Sequence, residues 1–251
     1  MSDHTIMLDN ITFSYSDRTD NIAESSYVFK NFNIEFPSDK VSVILGPSGC
    51  GKTTLLNIIG GLLSPLEGKV SFNNTTQTSD NFSILFQEPR LLPWRTIRKN
   101  VEIVLKSKFD KQLRRETAEH YLSLVGLKDS MNLYPSELSG GMRQRVAIAR
   151  AFAYPADTIL MDEPFQALDI KLKQELRALF TKLWVEDKRT AILVTHDINE
   201  AVMLGDEIFV FAGERPVKIA GKFVNDEPHM NRNSESKKSN IIQKKLYSLL
   251  A

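Results

Sequence analysis

Apolar runs divide most of the chain into strands and helices. Residues 6–15 and 28–36 alternate apolar and polar positions, which is the pattern of half-buried strands. Continuous apolar runs predict buried strands at 41–45, 158–161 and 191–195. The helix predicted between the last two runs has apolar residues on one face, namely Leu172, Leu176, Leu179, Phe180, Leu183 and Trp184. Strands that alternate with helices predict an α/β fold with a mainly parallel sheet.

The pattern becomes helical from about residue 90 to residue 154. One helix is predicted near residues 111–125, with Gly126 in a C-terminal cap position. We expect a single domain over residues 1–225, into which this helical part is inserted. Residues 226–251 are polar and rich in lysine until a short apolar end, and they predict either a loosely held tail or a short docking helix.

Composition narrows the possible functions. The 251 residues carry 32 Lys and Arg against 31 Asp and Glu, so the net charge of +1 gives no electrostatic case for nucleic-acid binding. A single cysteine, Cys50, is typical of a reducing compartment. No secretory signal is recognisable at the start, and no apolar run approaches the roughly 20 residues that cross a bilayer. Any role in a membrane process is therefore expected to be that of a separate subunit.

A glycine-rich motif follows the apolar run at 41–45. It matches G-x-x-x-x-G-K-[ST] and consists of Gly46, Pro47, Ser48, Gly49, Cys50, Gly51, Lys52, Thr53 and Thr54. In this context the backbone N–H groups and the following helix cradle phosphates, Lys52 reaches the β- and γ-phosphates, and the Thr53 hydroxyl binds Mg²⁺. The alternative is a plain tight turn. Cys50 is expected to be a small filler, with a reactive thiol as the second interpretation.

Two further polar sites follow apolar strands. Asp162 is expected to hold Mg²⁺, and Glu163 to polarise the attacking water as general base. His196 is expected to bond the γ-phosphate, since ligands of α/β sheets lie at the carboxyl ends of strands. The alternatives are a pair of solvated acids and a surface histidine beside the helix cap Asp197.

A second glycine motif begins at Ser139. A serine hydroxyl, the bare amides of Gly140 and Gly141 and a helix N-terminus together make an anion site. The chain already has one predicted phosphate-binding loop. A second anion site is explained if it closes on the ATP of a partner. It therefore predicts an ATPase that works as a pair.

Assembled, these motifs resemble the nucleotide-binding subunit of an ABC transporter over roughly residues 5–225. The resemblance implies a RecA-like P-loop NTPase fold with an antiparallel β subdomain and a helical signature subdomain. It also implies an ATPase that uses ATP and Mg²⁺. Gln87 would contact Mg²⁺ or water, and Tyr15 would stack on adenine, with Tyr27 as its competitor. Asp169 would lie in a loop across the dimer interface.

Two departures from the family pattern occur. Met142 stands in the signature where glutamine is usual, and Gln166 stands where serine or glycine is usual. Ser139 and Gly141 are kept, so we expect the phosphate contact to survive.

The segment from Gln87 to Ile97, Q-E-P-R-L-L-P-W-R-T-I, resembles importers of nitrate, sulfonates, taurine and thiamine precursors. Trp94 is expected either to receive a short helix of a membrane partner or to lie in the core. The resemblance implies a second copy of the chain, membrane-spanning permease subunits and, indirectly, an extracellular substrate-binding protein as partners. The chain would then lie in the cytoplasm on the inner face of the membrane.

Three other functions are weighed against an importer. An exporter or lipoprotein-release ATPase is the nearest alternative, and a soluble non-transport ABC ATPase acting on DNA or ribosomes is the next. Members of the second class usually carry long coiled-coil insertions, two ATPase domains in one chain or basic surfaces, and none of these is visible in the sequence. Salt-dependent nucleic-acid binding would favour that class. A metabolic kinase with a phosphate loop would have no use for the Ser139 motif.

Overall fold

The computed structural model describes residues 5–16, 24–72, 75–76, 82–166, 168–233 and 236–250. It divides into two compact units. Unit 1 comprises Met1–Asn81 and Lys188–Ala251, and unit 2 comprises Phe82–Asp187. The inserted helical part expected at about 90–154 falls within the sequence limits of unit 2.

Unit 1 contains two groups of strands. The elements before the insertion are β1 (Ile6–Ser14), β2 (Tyr27–Phe36), β3 (Val41–Leu45), α1 (Lys52–Ile59), β4 (Glu67–Phe72) and β5 (Thr75–Thr76). Strands β1, β2, β4 and β5 form an antiparallel sheet in the order β2-β1-β4-β5. The antiparallel β subdomain is thus present. Residues 17–23, within the loop predicted between the first two strands, lie outside the described residues.

Unit 2 begins with a short strand and continues as helices. Its elements are β6 (Phe82–Leu85), α2 (Ile97–Glu102), α3 (Lys111–Leu124), α4 (Gly140–Ala153), β7 (Thr158–Asp162) and α5 (Ile170–Glu186). Strands β6 and β7 are parallel. The helix predicted at 111–125 is confirmed as α3, and Gly126 has the positive φ of 75° that its cap position requires.

The chain then returns to unit 1 with β8 (Thr190–Thr195), α6 (Ile198–Leu204), β9 (Glu207–Phe211), β10 (Ile219–Val224) and α7 (Lys237–Leu250). Strand β3 pairs in parallel with β8 on one side and β9 on the other, and β10 adds antiparallel to β9. The parallel core of the predicted α/β fold is therefore confirmed. Every residue of β3 and β8 is buried, which explains their continuous apolar sequences.

The lysine-rich end of the chain forms a helix. In α7, Ile242 and Leu246 are buried one turn apart, and the side chain of Leu249 approaches Gly221 of β10. For residues 237–250 the structure therefore has the helix, and not the loosely held tail. No helix in the described part of the chain is long and apolar enough to cross a membrane.

A buried ion-pair cluster connects the segment before α7 to the first parallel strand. The Asp206 carboxylate accepts hydrogen bonds from the Val41 amide at 2.9 Å and from Arg232 at 2.6 Å, and lies 2.9 Å from His229 Nε2. Burial by itself would raise the pKa of Asp206, but the bonds from His229, Val41 and Arg232 outweigh it and lower this pKa to about 2. Residues far apart in the chain are thereby joined within unit 1.

Candidate nucleotide-binding site

The predicted phosphate loop lies in unit 1 between β3 and α1. The ammonium group of Lys52 donates to the carbonyl oxygens of Gly46 and Pro47, both at 2.9 Å, and Lys52 is 4% exposed. The lysine thus draws the start of the loop towards the start of the helix. Gly49 and Gly51 have φ angles of 79° and 101°, a region that other residues rarely adopt. Glycines in such conformations allow the backbone N–H groups of a loop to turn towards a bound anion.

Tyr15 contacts the helix that follows the phosphate loop. Its hydroxyl lies 2.9 Å from Thr54 Oγ1, its ring packs edge-on against Phe13, and its side chain is 61% exposed. The competitor Tyr27 begins strand β2, where the ammonium of Lys30 lies 5.7 Å from its ring centre. The open ring face beside the loop favours Tyr15 as the residue that stacks on adenine.

The loop between β9 and β10 supports the phosphate loop from outside. The Arg215 guanidinium donates to the Gly49 carbonyl at 3.2 Å, and a side chain at Gly213 would lie 3.1 Å from Pro47. Sequence reasoning missed both residues because they lie more than 160 positions from Pro47 and Gly49 of the phosphate loop in the sequence. Cys50 is 1% exposed, and its sulfur would lie only 3.0 Å from a Cβ at Gly46. The filler interpretation fits this burial, whereas a reactive thiol requires access to solvent.

His196 lies at the corner between β8 and α6, with its side chain exposed. The corner is held by the buried Glu200, which accepts a 2.7 Å hydrogen bond from Thr195, while the Thr195 hydroxyl accepts one from the Asp197 amide at 3.0 Å. Asp197 also caps α6, as its position predicted. The histidine therefore projects from a fixed turn, and Glu200 is a supporting residue that sequence reasoning did not identify.

The acidic pair predicted for metal binding and catalysis lies at the end of β7 in unit 2. Asp162 is the last residue of the strand, and Glu163 follows with a φ angle of 44°. A left-handed backbone at a non-glycine residue costs roughly 1–3 kcal/mol and is common at functional sites. The buried amide of Gln144 donates to the Pro164 carbonyl at 2.5 Å, which holds the turn directly after Glu163.

The predicted second anion site lies at the N-terminus of α4. The Ser139 hydroxyl caps the helix by accepting from the Met142 amide at 3.2 Å, and both Ser139 and Gly140 are exposed. The first N–H groups of a helix have no backbone acceptor one turn earlier; here the Met142 N–H is bonded to the cap, and Gly140 is the exposed residue of the first turn. Gly141 differs, because a Cβ on it would lie 2.7 Å from Leu172 of α5. Its lack of a side chain is needed for helix packing.

Gln87 lies just after β6 with its side chain exposed. The following segment is fixed by Arg150 of α4, whose guanidinium donates to the carbonyls of Pro89 at 2.7 Å and Arg90 at 3.0 Å. Burial lowers the pKa of Arg150. Arg90 itself lies over the ring of Phe86 at 3.8 Å. The residue expected to sense the nucleotide is therefore followed by a rigid stretch of backbone.

Trp94 is 70% exposed, so the alternative that placed it in the core is wrong. The loop that carries it is organised by Asn100, which is fully buried. The Asn100 amide donates to the carbonyls of Leu92, Arg95 and Thr96 at 3.0–3.1 Å and accepts from the Leu92 amide at 2.7 Å. A single side chain thus fixes the backbone that presents the tryptophan.

Asp169 caps α5 by accepting from the Leu172 amide at 2.9 Å. Ala167, in the predicted interface loop, lies outside the described residues. Within unit 1 the structure brings together Tyr15 and the phosphate loop, and it places His196 at the end of a neighbouring parallel strand. Unit 2 holds Gln87, the Ser139 motif, Asp162, Glu163 and Asp169.

The donor groups fit ATP and Mg²⁺. No group of three or more His, Cys, Asp or Glu side chains that could cage a metal occurs in the described ranges. Mg²⁺ is usually held by one or two protein ligands together with phosphate oxygens and water, so a cage of this kind is not required for it. A hydroxyl such as that of the exposed Thr53, or a carboxylate such as that of the half-buried Asp162, is a suitable oxygen ligand for Mg²⁺. The open, glycine-formed loop would hold the phosphates.

Comparisons with known proteins point in the same direction. The family model described as ABC transporter matches residues 29–166. The aliphatic sulfonates import ATP-binding protein SsuB of Bacillus subtilis is 41% identical over 194 residues, which cover 76% of this chain and 75% of that protein. The taurine import ATP-binding protein TauB of Roseobacter denitrificans is 40% identical over 193 residues, covering 76% and 72%.

A solved structure of the ATP-binding cassette MJ0796 is also similar. It is described as a dimeric, post-hydrolysis state bound to ADP and Pi. It is 34% identical, with a TM-score of 0.68, and the match covers 87% of this chain and all of that one. The likeness extends over both units of the chain.

Proposed function

This chain belongs to the ABC transporter family, whose cassettes are ATPases, and we propose that it energises an importer of small anions of the nitrate, sulfonate or taurine type, or of compounds like thiamine precursors. The observation that carries the paired ATPase is the exposed, Ser139-capped N-terminus of α4, which is a second anion cradle besides the phosphate loop. The importer class is supported by the relatives named for sulfonate and taurine import.

The phosphate loop binds the nucleotide in this proposal. The N–H groups of residues 46–54 and the Lys52 ammonium hold the phosphates, and Tyr15 stacks on the adenine. The two present hydrogen bonds of Lys52 to loop carbonyls keep its ammonium at the loop until the phosphates arrive. Thr53 and Asp162 would hold Mg²⁺, which neutralises charge on the phosphates when bound, and Gln87 would contact the metal or its water.

Hydrolysis requires a base and a group that positions the γ-phosphate. Glu163 polarises the attacking water, and the ring N–H of His196 donates a hydrogen bond to the γ-phosphate and helps to position the water. The strained backbone of Glu163 and the fixed corner of His196 support these roles, because both side chains start from defined positions. The two groups therefore need little reorganisation during the reaction.

Two copies of the chain would bind two ATP molecules. Ser139, Gly140 and Gly141 of one copy would contact the γ-phosphate held by the phosphate loop of the other, and Asp169 would lie at the interface. The dimeric ADP-bound structure of MJ0796 supports this arrangement. The pair would close when ATP is bound, because the γ-phosphate links the two copies. It would open after hydrolysis, because this link is then lost.

The membrane partner would be a permease that docks at the segment from Gln87 to Trp94. The exposed Trp94 and the rigid backbone around it support this role. The chain would then lie on the cytoplasmic face of the membrane, and an extracellular binding protein would contact the complex only through the permease. Co-purification from the native membrane tests these partners and identifies the substrate class. A copurifying exporter permease would instead support the exporter or lipoprotein-release alternative.

Replacing Glu163 tests the catalytic assignment. In Glu163→Gln we expect ATP binding to persist and ATP-dependent dimers to accumulate, with hydrolysis slowed at least about 100-fold, because the amide cannot accept the proton of water. Turnover is measured as phosphate release, and dimerisation by light scattering during gel filtration. Glu186→Gln, the same change at an exposed position of α5, should behave as wild type. Near-normal turnover in Glu163→Gln would refute the assignment.

A further inference from the structure

A small cationic cavity lies in unit 2, and none of its lining residues is assigned above to nucleotide binding or hydrolysis. It has a volume of 110 Å³. Its walls come from the loop before α2, from α2 and the turn after it, and from α3, and they consist of Arg95, Lys99, Glu102, Ile103, Lys106 and Arg114. Four of these six side chains are cationic.

None of the four cations has a side-chain hydrogen bond or ion pair with any part of the chain that the structure describes. The Nε atom of Arg95 is buried and has no acceptor. The one acid of the cavity, Glu102, is 3.0 Å from Arg98, outside the lining, and so is already paired. A buried charged donor without an acceptor is unfavourable, and the four like charges around the cavity repel one another, so an anion bound in the cavity would stabilise this part of the chain.

The ligand that fits these walls is a small oxyanion. Guanidinium groups bind carboxylate, sulfonate and phosphate oxygens through paired N–H donors, and ammonium groups add point charges. The volume is well below the roughly 300 Å³ at which pockets for drug-sized ligands begin, which excludes a nucleotide. Ile103 adds an apolar wall that would accommodate a short alkyl group.

We propose that this cavity is a binding site for a single oxyanion group, provided either by a small free anion such as sulfate, phosphate or an organic sulfonate, or by the carboxylate of another protein. The cavity shares no lining residue with the phosphate loop. The proposal therefore does not depend on ATP hydrolysis, and the two can fail independently.

The buried Arg95 Nε–H is a local reporter of occupancy. The full-length chain, labelled with ¹⁵N, is titrated with sodium sulfate, with sodium chloride used to keep the ionic strength constant, and the arginine Nε–H resonances are recorded. The resonance that disappears in Arg95→Lys is assigned to Arg95. We expect it to shift saturably with sulfate. Because the phosphate loop is itself an anion site, a local reporter is needed to separate the two events.

Two matched double variants distinguish a specific binding site from a general electrostatic attraction of anions. Lys99→Gln with Arg114→Gln removes two cations of the cavity and leaves the reporter, and we expect sulfate affinity to fall about tenfold or more. Lys171→Gln with Lys182→Gln removes two exposed cations of α5 and should change the affinity by less than about twofold. Equal weakening in both variants would overturn the proposal.

Further titrations identify the source of the anion. Saturable shifts with sulfate and with methanesulfonate support a free small anion. A shift caused by a blocked pentapeptide with two glutamates, and not by its glutamine counterpart or by the free anions, supports a protein carboxylate. If none of these probes shifts the Arg95 resonance saturably, the cavity is not an oxyanion site. ATP hydrolysis measured on the same samples reports on the proposed ATPase separately.

Discussion

Two adjacent glycines of the Ser139 motif have different physical reasons to be glycine. A Cβ at Gly140 would lie 3.9 Å from its nearest neighbour, Arg143, whereas one at Gly141 would lie 2.7 Å from Cδ1 of Leu172. In the sequence both are expected to be bare amides for an anion. That expectation remains a proposal for Gly140, while Gly141 additionally keeps α4 close to α5.

Alanine substitutions should separate these roles. Gly141→Ala should lower the free energy of unfolding by about 1 kcal/mol relative to Gly140→Ala, since Leu172 must move aside while both changes gain the helix propensity of alanine. Urea unfolding of the two variants measures the difference. Adding Leu172→Ala should make Gly141→Ala harmless or favourable, because the clashing atoms are gone. A cost that persists in the double variant would contradict this explanation.

Helix α4 connects several predicted sites within unit 2. Its N-terminus carries Ser139, Gln144 holds the turn after Glu163, and Arg150 holds the backbone after Gln87. The helix therefore offers a direct mechanical link between the second anion site and the proposed catalytic base. Both supporting side chains are hydrogen-bonded to backbone carbonyls, so their role is positioning.

Removing the Gln144 donor tests the role of α4. Gln144→Met has a similar volume but no N–H, so Pro164 loses its bond and the strained turn at Glu163 relaxes. We expect the kcat of ATP hydrolysis to fall about tenfold or more while the KM for ATP changes little, since the phosphate loop is untouched. Gln174→Met, the same change at an exposed site of α5, is the control. A higher KM with normal kcat would argue against positioning of the base.

Elements with strong local signals could be predicted, whereas those defined by distant partners could not. Strands β3, β7 and β8 are continuous apolar runs, and α3 and α5 have regular apolar spacing. Strand β6 has only four residues, and the exposure of β10 along most of its length gives it no clear pattern. The phosphate loop, the acidic pair and the Ser139 motif could be predicted from residue types and their spacing, and Gln87, Tyr15 and Asp169 from the family resemblance. The supporting residues could not be predicted, because their contacts depend on the fold; they are Arg150, Gln144, Glu200 and Arg215.

At the scale of the whole molecule, unit 1 is assembled from both ends of the chain. Asp206 joins Val41, at the start of the strand that leads to the phosphate loop, to Arg232 and His229 near the C-terminal helix. The carboxylate must be ionised to hold these partners. Its lowered pKa therefore links the stability of unit 1 to pH.

The pH dependence follows from the sign of this shift. The pKa of Asp206 falls from 3.8 to about 2 on folding, so its ionised form stabilises the protein above about pH 4, and this contribution is lost as pH falls towards 2. The shift corresponds to about 2 kcal/mol. Asp206→Asn should be less stable than wild type at pH 7. The difference between the two proteins in the urea concentration at the unfolding midpoint should narrow to about half near pH 3. Asp129→Asn is the exposed control. An equal difference in urea midpoint at both pH values would show that the ionised carboxylate of Asp206 is not the cause of the lost stability.

The buried Asn100 has a kinetic consequence for any partner that binds at Trp94. Its four hydrogen bonds keep the Leu92–Thr96 backbone in one conformation before association. A preformed surface avoids much of the loss of backbone conformational entropy that binding imposes on a flexible loop, roughly 1–2 kcal/mol for each residue whose backbone becomes fixed. Assembly with a membrane subunit would then proceed at the rate of correctly oriented collisions, without waiting for a loop to fold.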